Sequence, residues 1–459
     1  MDSCLDLGIA ALGQAYRRRA LSPVEVVDAL FDAVVADEAG INAFVLLDRP
    51  AALQAAEAAQ ARFLAGEPLG PLDGIPVSIK DMTDVRGWPT RRGALAMPDA
   101  PPAGRDAPVV SALRAAGGVI FGKTTTTEFG WTVLSESPHG GTTRNPRKPA
   151  RSAGGSSSGA AAQVAAGWGP LAIGSDAGGS VRLPAAFCGL VGIKPTWSAI
   201  PQAPLSAFWD VSHLGPFTRS VEDCALALST IARPDRRDPH SLFARRPLDV
   251  PVDGLRLAWS GRGVPMDPAI ERGFQGLLDD LRAGGLAVEE AAFDWSGYVR
   301  DAWAIWTSKV VESFLGWSDG ELERLSPRLR AALAAGREAD ALALAASRAR
   351  LRRAMGEIAA IFGTVDILLT PTTPWPAPPL GSLAPTGHPD AAEIEATGNW
   401  LLAHPFCWPF NLTQQPALSL PAGTTPDGLP WGLQIVAPKF ADGLCLSLAR
   451  RLEGVLAGG

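Results

Sequence analysis

The chain has 459 residues, 47% of them hydrophobic, and a formal net charge of −6. Its basic residues gather into no strong patch, which excludes an evident nucleic-acid surface, and no apolar run is long enough to span a bilayer. The five cysteines, Cys4, Cys188, Cys224, Cys407 and Cys445, are scattered without metal or redox spacing, so reduced thiols in a cytoplasmic setting are expected, with no metal and no cofactor. Asp2 and Asp6 precede any basic residue, unlike the start of a signal peptide.

In chain order, Ser22-Pro23-Val24-Glu25 predicts a helix start: a serine cap, a first-turn proline and a glutamate at the capping-box position. An alanine-rich helix is predicted over 51–64. The apolar stretch Ile75-Pro76-Val77-Ser78-Ile79 reads as a strand that ends in Lys80-Asp81. A helix over 109–117 leads into a strand at 119–121. Two glycine loops carrying serines follow, Gly154-Gly155-Ser156-Ser157-Ser158-Gly159 and Gly174-Ser175-Asp176-Ala177-Gly178-Gly179-Ser180. Residues 327–362, rich in Ala, Leu, Arg and Glu, predict a helical pair. A buried strand is expected over 365–369, and 371–379 is a proline-rich loop that could lie over a site. Alternating helices and short apolar strands argue for an α/β fold with a mixed sheet.

The lysine and the two loops belong to one chemical idea. A serine hydroxyl is a poor nucleophile without a base in reach, and lysine can be that base only when neutral. Burial in an apolar pocket lowers a lysine's pKa toward the working range. Amide cleavage also passes through an oxyanion that needs preorganised backbone donors, and glycine allows close approach of a turn. Phosphate binding is disfavoured because 154–159 lacks the closing Lys-Ser/Thr of a P-loop, and the dinucleotide GxGxxG spacing is absent there.

At these residues the sequence resembles the amidase signature family. The Gly-Pro-Leu-x-Gly-Ile-Pro-x-x-x-Lys-Asp block matches residues 70–81. The Gly-Gly-Ser-Ser-Gly-Gly block matches 154–159, with Ser158 where glycine is usual. The Gly-Thr-Asp-x-Gly-Gly-Ser-x-Arg-x-Pro block matches 174–184, with Ser175 for threonine. The resemblance implies a single large domain over 1–459, with a twisted mixed sheet covered by helices on both faces. Within it, 1–65 would form an N-terminal helical region, 70–225 the signature core and 295–362 a helical insertion near the cleft.

It also implies a catalytic triad: Ser180 as nucleophile, Ser156, preceded by a cis peptide bond, as the bridging serine, and Lys80 as the base. The backbone amides of Ala177, Gly178, Gly179 and Ser180 would form the oxyanion hole. Ser157 would help by hydrogen bonding, Asp176 and Arg182 would scaffold the loop, and His213 and His404 would be structural. Thr126, Trp131, Ser157, Trp197, Phe208 and Trp209 are the candidate substrate-binding residues.

Fourteen tryptophans against two tyrosines, several of them beside these blocks, favour an apolar or aryl-binding cleft and a bulky neutral amide. A carbamate (urethane) or ester hydrolase using the same triad is an alternative, as is one component of a tRNA-dependent glutamine amidotransferase. The expected partner is a small-molecule substrate, with no nucleic acid and no membrane, and the expected assembly is a monomer or homodimer.

Overall fold

Eleven strands hydrogen-bond into one mixed sheet. They are β1 (Phe44–Leu47), β2 (Pro76–Lys80), β3 (Val119–Thr124), β4 (Leu171–Asp176), β5 (Val191–Lys194), β6 (His213–Thr218), β7 (Leu257–Trp259), β8 (Val288–Glu290), β9 (Ile367–Pro371), β10 (Ala417–Thr424) and β11 (Pro430–Val436). The spatial order is β1-β3-β2-β4-β6-β5-β10-β11-β9-β7-β8. The computed structural model describes residues 3–37, 39–241 and 247–456. β2 runs parallel to both its neighbours, β3 and β4, while β4, β6, β5, β10, β11 and β9 follow in antiparallel pairs.

Strands at the centre are covered on both faces, because successive side chains of a strand point opposite ways. Leu171 and Ile173 of β4 enter one apolar cluster with Val77 and Ile79 of β2, whereas Ala172 enters another with Ala160, Ala161 and Val164. The helix Ser158–Ala165 supplies that second cover. Ser78 faces it too and donates to Gln163 Oε1 at 2.7 Å. Lys80, two residues on, shares that face, so β2 delivers its amine toward the start of the same helix. This is how an apolar strand carries a lysine to two serines distant in sequence.

The helix beginning at Pro23 forms as the capping signal predicts: Ser22 Oγ accepts from the Glu25 amide at 3.2 Å, and the Ser22 amide donates to Glu25 Oε2 at 2.7 Å. Helices Arg49–Ala65 and Pro108–Ala115 match the helices expected over 51–64 and 109–117. The N-terminal segment additionally contains β1, a half-buried edge strand that its sequence did not announce. The predicted pair is Pro327–Glu338 and Ala341–Ile361, the latter capped by Asp340, which accepts from the Ala343 amide at 2.8 Å. Both pack on the helix Val299–Ser313, and their shared core contains Trp306, Val310, Leu329 and Leu351. Among the described residues no helix is long and apolar enough to cross a membrane.

Candidate active site

Lys80 is 1% exposed, and its Nζ lies 2.7 Å from Ser156 Oγ, 2.9 Å from Ser157 Oγ and 2.9 Å from Ser175 Oγ. The Gly155–Ser156 peptide bond is cis. Burial lowers the Lys80 amine from an ordinary 10.5 to about 7, against the opposing pull of the Asp176 charge. Two further lysines are fully buried, and their partners separate them from Lys80. Lys123 ion-pairs with Asp81 at 2.7 Å, and Lys194 donates to the Gln415 carbonyl. Only Lys80 among these three is ringed by hydroxyls.

The hydroxyl protons distinguish the neighbouring serines. Ser157 Oγ donates to the Ser175 carbonyl at 3.1 Å and accepts from the Ser175 amide at 3.3 Å, so its proton is committed. Ser156 Oγ and Ser175 Oγ have no hydrogen-bond acceptor in the chain among the described residues. A neutral amine has two N–H donors and one lone pair. With one donor aimed at Ser157, the lone pair can face the hydroxyl proton of Ser156 or of Ser175. Gly174 permits this crowding: a Cβ there would sit 2.8 Å from Ser157 Oγ and 2.6 Å from Phe217.

Ser180 sits on the turn between β4 and the helix Arg182–Cys188. Asp176 and Arg182, both fully buried, hold that turn with paired contacts of 2.9 and 3.0 Å. Asp176 also accepts from the amides of Gly179 at 2.7 Å and Val181 at 3.1 Å, and from Asn411 Nδ2 at 2.8 Å. Arg182 is completed by the Cys407 carbonyl, Gln434 and Asn411. Burial opposes the Asp176 charge, but the Arg182 guanidinium more than offsets it and keeps the carboxyl well below the usual range. Gly179 adopts φ 128, and a Cβ there would lie 2.8 Å from Cys407 Cβ, so glycine is required on both counts.

The four loop amides are therefore not equivalent. The Gly179 N–H is spent on Asp176, whereas those of Ala177, Gly178 and Ser180 have no partner in the chain among the described residues. Ala177, Gly178 and Ser180 all line one cavity of about 330 Å³, together with Ser156 and Ser175. Its apolar wall includes Trp131, Phe208, Trp306, Phe314, Trp317 and Trp400. Trp131 packs edge-on against Trp400 with ring centres 6.4 Å apart. Phe208 is fixed by the turn it rides on, where Lys309 Nζ reaches Asp210 at 2.5 Å and the Ala207 carbonyl at 3.2 Å.

Of the residues singled out from sequence, Trp131 and Phe208 line this cavity and Ser157 touches Lys80. Thr126 is buried and does not line this cavity. Trp197 and Trp209 lie outside as well: Trp197 Nε1 donates to the Trp209 carbonyl at 2.8 Å, and Trp209 stacks on His240 with ring centres 4.7 Å apart. Residues 371–379 also contribute nothing to the wall. His213 and His404 are buried and kept neutral by that burial, His404 being pushed down to about 3. The wall residues Trp306, Phe314, Trp317 and Leu329 had no local signal, because they come from helices that reach the cavity only through tertiary packing. An amphipathic reading of 299–317 against 327–338 is the one clue that could have found them.

The family model described as Amidase matches residues 25–446. The chain is 38% identical to an acylamidase of Rhodococcus erythropolis, over 95% of this chain and 92% of that protein. It is 32% identical to a glutamyl-tRNA(Gln) amidotransferase subunit of Koribacter versatilis, over 98% of each chain. The crystal structure of a bacterial aryl acylamidase of the amidase signature family superposes with a TM-score of 0.85 at 26% identity, covering 99% of each chain.

Proposed function

The chain belongs to the amidase family and is an amide-hydrolysing enzyme, and on that premise we propose that it cleaves amides with a bulky apolar, aryl-sized body through an acyl-enzyme on Ser180. The observation that carries this reading is the buried, near-neutral Lys80 amine set among three serine hydroxyls at the edge of an aromatic cavity that also holds Ser180.

In the proposed mechanism Ser180 Oγ bonds to the scissile carbonyl carbon while its proton passes to Ser156, whose own proton passes to Lys80 Nζ. The tetrahedral oxyanion is stabilised by the amides of Ala177, Gly178 and Ser180, with Gly179 acting as the anchor to Asp176. Collapse breaks the C–N bond, and the relay returns a proton from Lys80 through Ser156 to the departing nitrogen. Water, deprotonated by the same relay, then releases the acid and regenerates Ser180. Because the proton of Ser157 is already committed, Ser156→Ala should lower kcat by about a thousandfold and Ser157→Ala by only about tenfold to a hundredfold. Steady-state kinetics of both variants checks the order, and equal losses would assign the relay wrongly.

The pH dependence has a definite sign. Lys80 works as the neutral amine, so kcat/KM should climb with pH through about 7 and level above it. A pH–rate profile on a neutral anilide reads this directly, and a rate that falls across the same interval contradicts it.

The similarity to a glutamyl-tRNA(Gln) amidotransferase component supports a second reading, in which the chain releases ammonia from glutamine for a partner. The tryptophan-lined wall favours the first, since glutamine has no aryl body to fill it. Turnover of the isolated chain on a 4-nitroanilide, an aryl carbamate, an aryl ester and glutamine separates the readings. We expect the anilide to be hydrolysed without a partner. Activity on glutamine alone, or only with a partner present, would move the assignment to the amidotransferase, and a carbamate or ester turned over well ahead of the anilide would move it within the hydrolases.

A further inference from the structure

Arg92 is the only charged side chain among the described residues lining the cavity at Ser180. Its guanidinium has no hydrogen-bond or ion-pair partner among the described residues, and its Nε is buried without one. Arginine carries five N–H donors in a fixed planar fork and stays charged at any working pH. Only the Nε is cut off from solvent; the terminal nitrogens of this half-buried side chain stay accessible, so their donors are open to a group that enters the cavity. Neither nearby carboxylate pairs with it among the described residues: Asp81 Oδ1 takes Lys123 at 2.7 Å and the Arg91 amide at 3.3 Å while its Oδ2 is buried without a partner, and Asp84 lines the smaller cavity beside Arg92. The backbone of Arg92 also lies in the left-handed region at φ 55, uncommon for a residue with a Cβ.

The cavity continues past Arg92 into a smaller one of about 120 Å³, and Met82, Ser175, Ser206 and Ser212 line both. At this junction the wall changes from aromatic to a mixture of hydroxyls and small apolar side chains, with Arg92 and Asp84 as its charged members. Ser212 Oγ already donates to Gln202 at 3.1 Å, whereas Ser206 Oγ, on an exposed residue, accepts from the Phe208 amide at 3.2 Å and donates to no acceptor in the chain among the described residues.

We propose that the substrate of this site is an amide that carries a carboxylate in addition to its apolar body, and that Arg92, assisted by Ser206, binds that carboxylate. This rests on the acyl-transfer reading above and departs from the neutral substrate that the tryptophan-rich sequence suggested. The bidentate match between guanidinium and carboxylate makes Arg92 a specificity-determining residue. It takes no part in the proton relay.

Two matched pairs test it. One places the carboxylate on the acyl side, glutaryl-4-nitroanilide against pentanoyl-4-nitroanilide. The other places it on the amine side, N-pentanoyl-4-aminobenzoate against N-pentanoyl-4-toluidide. In at least one pair the wild type should favour the carboxylate member by about tenfold or more in kcat/KM, chiefly through KM. Arg92→Gln should bring that ratio close to unity, and Arg92→Lys should restore part of it. A wild-type ratio at or below unity in both pairs, or an Arg92→Gln effect that is equal on both members, overturns the proposal.

Calorimetric binding to Ser180→Ala keeps the two readings apart. No wild-type turnover of any of the four compounds would defeat the acyl-transfer reading. Tighter binding of a carboxylate member, lost in Ser180→Ala/Arg92→Gln, would sustain the role of Arg92 by itself, and equal binding of both members would end it.

Discussion

Lys80→Met should lower kcat/KM by about ten-thousandfold while the protein still folds. Methionine fills nearly the same volume with an apolar chain, but it cannot take the proton that Ser156 must pass on. If lysine, bridging serine and nucleophile act as one unit, Ser180→Ala should lose a comparable amount, and the double variant should be little worse than either single one. Losses that multiply would mean that the two groups serve independent steps.

The same substitution has a signature in stability. In the folded protein the Lys80 amine titrates near 7, and in the unfolded chain near 10.5, so between these values the native state binds fewer protons. Wild-type stability therefore gains a contribution that rises with pH across that window and is flat below it. Lys80→Met should lack this slope, as denaturant titrations at several pH values would report. An unchanged slope would show that the amine is not held neutral by burial.

The second large effect is structural. Arg182→Met should destabilise the fold by about 3–5 kcal/mol, because it leaves the fully buried Asp176 charge without its counter-ion. Asp176→Asn/Arg182→Met removes both charges and should be less damaging than Arg182→Met alone, despite carrying one more substitution. Urea unfolding of the two variants checks this order. The reverse order would mean that the pair contributes through packing of the turn and not through charge compensation.

How far these features could be read from sequence depended on whether their geometry is local. Lys80, Ser156 and Ser180 stand in glycine-punctuated blocks whose spacing reports a tight turn, so their candidacy was legible before any fold was known. The alternation along β2 likewise puts Ser78 and Lys80 on one face. By contrast, Trp197 and Trp209 lie close in sequence to those blocks but pair with His240 away from the cavity, because nearness along the chain does not determine the direction in which a loop side chain points. Trp306, Phe314 and Trp317 form the wall from more than a hundred residues downstream, where nothing local marks them. The commitment of the Gly179 amide to Asp176 was hidden too, since a run of glycines does not disclose which N–H the neighbouring carboxylate will take. Arg92 belongs to none of those blocks, and only the fold brings it to the cavity.

The mechanism turns on a covalent acyl-enzyme at Ser180. It is tested most directly by acid-quenching the wild type during turnover of a 4-nitroanilide, then measuring intact mass and mapping the modified peptide. The mechanism predicts a mass increase equal to the acyl group, located on Ser180 and absent from Ser180→Ala. An adduct on Ser156 or Ser157, or none at all while a burst of nitroaniline is released, would contradict it.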